Sequence, residues 1–87
     1  MDGQALVARN LRKLRVQRML SQEALAVDAG IDRTYVSRME RGLENPTINV
    51  LSKIAKALDV ELADFFLHPA ENEPPPSPLP KGRKARR

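Results

Sequence analysis

The chain contains no cysteine. That excludes a disulfide framework and any thiolate-ligated metal site. Histidine is nearly as scarce: His68 stands alone, no carboxylate cluster accompanies it, and it reads as a solvated residue at a helix end. No metal and no cofactor are therefore expected. No stretch approaches the roughly 18 apolar residues of a membrane span. The first residues show a charge-rich helical pattern instead of the short apolar region of a secretory signal. The expected location is the cytoplasm, with no membrane partner. The parts of common catalytic sites are missing too: there is no Ser/His/Asp set, no phosphate-cradling Gly-rich loop and no paired carboxylates in a cleft. An enzyme is not expected. Without a second domain to hold a pocket, neither is a small-molecule ligand.

What is present suits one small helical domain. A chain of 87 residues buries a modest core and should be stable by only a few kcal/mol. The net charge of +4 is unevenly spread: residues 1–68 carry ten Lys/Arg against nine Asp/Glu, and residues 69–87 carry five against two. Arg9, Arg12, Lys13, Arg15 and Arg18 crowd one segment, while Asp59, Glu61 and Asp64 crowd another. A basic end facing a polyanion and an acidic end turned away fit that polarity, although solvated helices also look like this. Composition changes sharply at Pro69, because six of the seven prolines lie in residues 69–80 and apolar periodicity stops there. Residues 69–87 read as a disordered tail: a Pro-rich spacer followed by the basic end that carries Lys81, Arg83, Lys84, Arg86 and Arg87.

Residues 1–68 read as all-helical, since no segment alternates as a strand would. The first helix covers about residues 3–19, with Val7, Leu11 and Leu14 on one stripe. Ser21 caps a second helix over about residues 21–29 that turns Leu25, Ala26 and Ala29 inward, and Gly30 ends it. Asp32 caps a third over about residues 32–41, closed by Gly42. Leu43, Glu44, Asn45 and Pro46 form a loop. Thr47 caps a fourth helix that buries Val50, Leu51, Ile54, Ala55 and Leu58. A last short helix covers about residues 62–67.

The turn between the second and third helices, Gly30-Ile31, is very short, so the two must cross steeply. That geometry projects the third helix from the surface, where it can enter a major groove about 12 Å wide. Ala26 is small, as a close crossing requires, and Ile31, Val36 and Met39 plug the core. At roughly 100° per residue, Asp32, Val36, Met39 and Glu40 share one half of the third helix. Arg33, Thr34, Ser37, Arg38 and Arg41 share the other. A face selected for solubility alone mixes acids with bases; this one carries only donor-bearing polar residues. Tyr35 lies on the border. It either packs against the following loop or reaches a phosphate with its hydroxyl.

Residues 22–41 resemble the phage-repressor-like (Cro/Xre) helix-turn-helix family. The matching positions are Gln22, Ala26, Gly30, Val36 and the run Ser37-Arg38-Met39-Glu40-Arg41-Gly42. The Asn45-Pro46-Thr47 loop and residues 51–58 resemble the family's fourth helix, so the likeness covers roughly residues 4–67. It implies an all-α, compact five-helix lambda-repressor-like DNA-binding domain over residues 1–68, with the disordered tail over residues 69–87 outside the family pattern. It also implies sequence-specific binding of double-stranded DNA and transcription regulation, as a repressor or autoregulator. Base contacts fall to Arg33, Thr34, Ser37 and Arg38, and phosphate contacts to Gln22, Tyr35, Arg41 and Asn45. Arg15 and Glu40 match positions that form an internal ion pair in the family, clamping the first helix to the third.

Discrimination by one reading helix is weak, which favours a homodimer on a palindromic operator. The expected self-contact is the end of the fold, where Leu62, Phe65, Phe66 and Leu67 crowd together. The alternative is an adaptor or toxin-neutralising partner built on the same fold, which would expose apolar residues on the third helix. The basic tail reads as a solvated remnant, a phosphate-touching arm or a protein-docking tail.

Overall fold

A computed structural model describes residues 1–79; the basic end expected at residues 81–87 lies outside the described residues. Four α-helices follow one another, α1 (Gly3–Gln17), α2 (Gln22–Ala29), α3 (Arg33–Glu40) and α4 (Ile48–Leu58), and a 3-10 turn over Leu62–Phe66 completes the fold. The described residues contain no strand.

The starts of three helices are written locally. Asp2, Ser21 and Thr47 each accept the backbone N–H three residues on, at 2.8, 3.0 and 3.1 Å. Each such cap is worth about 1 kcal/mol. Asp32 precedes α3 in extended backbone, but its side chain makes no capping bond, which corrects the cap expected there. The stops share one device: a residue with positive φ turns the chain, and the next N–H reaches back to the last turn. Gly30 at φ 71° sends Ile31 N–H to Ala26 O at 3.0 Å, and Gly42 at φ 72° sends Leu43 N–H to Arg38 O at 2.9 Å. Met19 and Asp59 take the same left-handed conformation, at φ 58° and 57°, without the freedom of glycine. Met19 accounts for α1 stopping at Gln17, before the expected end.

The core is one cluster of Val7, Leu11, Leu20, Leu25, Ala26, Val36, Met39, Leu51, Ile54, Ala55, Leu58 and Phe65. Leu14, expected on the buried stripe of α1, is only half-buried, while Leu6 and Ala8 are buried. α1 packs on α3 and on the 3-10 turn, and α2 packs on α3 and α4.

The expected fifth helix is a 3-10 turn instead. Asp64 Oδ2 accepts Glu61 N–H at 3.0 Å and fixes its start. The side-chain amide of buried Asn10 donates to Phe65 O at 2.7 Å and Leu67 O at 2.8 Å, tying its end to α1. Those carbonyls are therefore engaged by a side chain and not by a continuing helix. Phe65 is fully buried, at 0% exposure.

The segment after Pro69 also departs from the expectation of a free tail. Glu73 N–H donates to Ala70 O, closing a turn, and Glu73 Oε1 accepts Ala70 N–H, both at 3.0 Å. Glu73 Oε2 meets Arg9 Nη2 at 3.1 Å and Lys13 Nζ at 3.0 Å, and Arg9 Nη2 also donates to Pro74 O at 2.9 Å. The basic outer face of α1 thus attracts an acid in the proline-rich segment. The bond from Ala70 N–H, then Lys13 and Arg9, lowers the Glu73 pKa from 4.5 to about 2.

Candidate nucleic-acid interface

Helix α3 is an eight-residue element with two unlike faces. Val36, Met39 and Glu40 are buried. Arg33 and Thr34 are exposed, and Ser37 and Arg38 are half-buried. The outward residues therefore stand together on one surface, beside exposed Arg41 and Asn45. Tyr35 is half-buried, with its packed side against the core cluster.

The inner face is held by a cluster of charged groups. Glu40, with a side chain 0% exposed, accepts Arg15 Nε at 2.5 Å and Arg15 Nη2 at 2.9 Å. Arg15 Nη1 donates to Leu20 O at 2.7 Å. Gln22 Nε2 donates to Glu40 Oε1 at 3.1 Å, and Arg12 Nε approaches the same oxygen at 3.4 Å. A two-pronged guanidinium–carboxylate contact fixes geometry as well as charge. With the Gln22 bond the cluster links α1, the start of α2 and the end of α3, so it sets the pose of α3. Arg12 and Gln22 are additions that spacing alone did not reveal: both lie more than ten residues from Glu40 in sequence, and only the fold brings them there. The Gln22 amide, expected on a phosphate, is turned toward Glu40, although its residue still opens α2.

The outer face holds a second ion pair. Arg38 Nε donates to Glu44 Oε2 at 2.6 Å, with side chains 43% and 30% exposed. Arg33 and Arg41 make no side-chain hydrogen bond or ion pair among the described residues.

At the far end of the fold the expected self-contact residues separate. Phe65 belongs to the core and offers no surface, which corrects its assignment to an interface. Leu62 is half-buried, while Phe66 and Leu67 are 41% and 60% exposed. Phe66 and Ile48 line a 260 Å³ cleft with Val7 and Leu51. Among the described residues no group of three or more His, Cys, Asp or Glu could hold a metal ion. No helix there is long and apolar enough to cross a membrane.

Comparison with known proteins gives a consistent picture. A helix-turn-helix family model matches residues 11–65. A hypothetical transcription factor from Neisseria meningitidis is 43% identical over 70 residues, covering 80% of this chain and 66% of that protein. The crystal structure of a hypothetical transcription factor, NHTF, from Neisseria superposes with a TM-score of 0.76 at 43% identity, over 80% of each chain. The HTH-type transcriptional regulator SlrR of Bacillus subtilis is 36% identical over 62 residues, 70% of this chain and 41% of SlrR. The chain thus spans just under two thirds of one of these relatives and about two fifths of the other. The restriction-modification controller protein C.AhdI from Aeromonas hydrophila has a TM-score of 0.71 at 41% identity, over 72% of this chain and 96% of that one.

Proposed function

Because the chain belongs to the Cro/Xre-like helix-turn-helix family of transcriptional regulators, we propose that it binds specific sites on double-stranded DNA through α3 and regulates transcription there, as a repressor or autoregulator and not as an enzyme. The observation that carries this reading is the asymmetry of α3: a buried, cross-linked inner half and an outer half of donor-bearing side chains with no exposed apolar residue. In the major groove Arg33 and Arg38 grip guanine O6 and N7, and Ser37 and Thr34 supply less discriminating contacts. Arg41, Asn45 and the start of α2 at Gln22 meet phosphates, fixing register without reading sequence. The adaptor reading is disfavoured by the same face, which lacks the apolar surface a protein partner would cover.

The working form is a homodimer on a palindromic operator, with reading helices in successive major grooves about 34 Å apart. Leu62, Phe66 and Leu67, with the neighbouring cleft at Ile48, form the self-contact. The domain is residues 1–68, acting in the cytoplasm. Selection of bound sites from random duplex DNA tests the proposal. Enrichment of a two-fold symmetric site supports it; recovery of no preferred sequence from a folded, soluble chain refutes it.

A further inference from the structure

The reading face carries one acid among its arginines, and its position is built by the backbone. Gly42 reverses the chain at the end of α3, and Leu43 N–H is bonded to Arg38 O at 2.9 Å. Gln4 Nε2 donates to Gly42 O at 2.8 Å and ties this turn to α1. The loop therefore returns Glu44 to the side of Arg38, where its carboxylate accepts a hydrogen bond from Nε–H at 2.6 Å. Arg38 Nη2 makes a longer contact with Leu43 O, at 3.4 Å.

This pair contributes little to stability, because a half-exposed ion pair gains little in water. A carboxylate beside a DNA-facing surface also opposes binding through repulsion from phosphates. Its effect on Arg38 is different. Guanine is recognised by two parallel N–H groups of a planar guanidinium. With Nε engaged by Glu44, the Nη1 proton and the outer Nη2 proton remain as a free two-pronged edge. The side chain is then ordered before contact, which lowers the entropic cost of the grip. Were Arg38 to swing toward a phosphate instead, Glu44 would be left unpaired next to the polyanion.

We propose that Glu44 is a positioning residue that determines specificity: it presents Arg38 to guanine and penalises sequence-independent contacts. The inference rests on the DNA-reading function proposed above. Arg33, which has no such carboxylate among the described residues, can reach either a base or a phosphate, so the two arginines of α3 divide into a fixed reader and an adaptable one.

The test uses the full chain and the duplex recovered by site selection, with all single-base changes of that duplex. Arg38→Ala identifies the base pair that Arg38 reads, by a loss of about 5- to 100-fold in preference there. Glu44→Gln keeps the shape and removes the charge. It is expected to lower the guanine preference at that same base pair several-fold. It should also tighten binding to random-sequence duplex and steepen the salt dependence by about 0.9 in log–log slope, one extra phosphate contact. Glu44→Asp restores part of the preference. If Arg38→Ala abolishes the preference and Glu44→Gln leaves it whole, the role of Glu44 is refuted while the reading helix stands. If Arg38→Ala changes no base preference, Arg38 does not read bases, and the role of Glu44 falls with that part of the proposed function. Thermal melting of each variant, expected to match the wild type, separates these results from unfolding.

Discussion

Helix α3 bears two arginine–carboxylate pairs, one on each face, and their surroundings give them opposite uses. Glu40 is buried and saturated by Arg15, Gln22 and Arg12; Glu44 and Arg38 are partly in water, and their only further side-chain contact among the described residues is the long one from Arg38 to Leu43 O. In the interior a lone charge has no solvent to return to, so the first pair cannot open without a large penalty. At the surface water replaces a lost partner, so the second can exchange its contacts cheaply. One pair therefore fixes where the helix stands, and the other is free to meet a ligand. The family resemblance pairs Arg15 with Glu40; the Arg38–Glu44 pair has no such precedent in the sequence and depends on the turn at Gly42.

The sharpest way to break this contrast is to unpair the buried side. Glu40→Ala should cost about 3–5 kcal/mol, enough to unfold much of the population of so small a domain, read as a fall in the urea midpoint. Arg15→Met with Glu40→Leu should cost less than either single loss, since no charge is then stranded. Additive losses would show that the pair is not acting as a unit.

The exposed side should give the reverse pattern. Arg33→Ala and Arg38→Ala are each expected to weaken specific DNA binding by about 1–3 kcal/mol, while stability stays within about 0.5 kcal/mol of the wild type. Titration calorimetry beside denaturant unfolding separates the two quantities, and an equal loss in both would erase the distinction between the faces.

A smaller effect concerns the segment held to α1 by Glu73. Its carboxyl titrates well below the ordinary value, at about 2 instead of 4.5. A depressed folded-state pKa means that the contact to Arg9 and Lys13 is favoured above pH of about 4.5 and fades as acid protonates Glu73 toward pH of about 2. The side-chain carboxyl shift of Glu73 in an NMR titration should therefore move below pH of about 4. A midpoint at the usual glutamate value would mean that the segment is not docked. Deleting residues 69–87 should leave cooperative unfolding of residues 1–68 in place, because among the described residues no core residue lies beyond Phe65. Loss of the cooperative transition would move the domain boundary.

How much of this was legible in the sequence follows from the range of the interactions. Ser21, Thr47, Gly30 and Gly42 act within a few residues, so helix ends and the short α2–α3 turn could be read directly. The two faces of α3 follow from helical periodicity alone. The left-handed turns at Met19 and Asp59 were hidden because neither is glycine. Nothing local in the sequence singles out Asn10; its bonds to Phe65 and Leu67 carbonyls, more than fifty residues away, tie the end of the 3-10 turn to α1 and help hold Phe65 in the core. Glu73 lay in a segment whose prolines suggested disorder, and only the fold brings the basic face of α1 to it.

The most direct test of α3 as reader repeats the duplex selection with the double variant Arg33→Ala, Arg38→Ala beside the wild type. The wild type should enrich a two-fold symmetric site, and the folded double variant should lose the preference for guanine at the base pairs those arginines face. Recovery of the same site by both, with equal affinity, would contradict the assignment of α3 as the element that reads DNA.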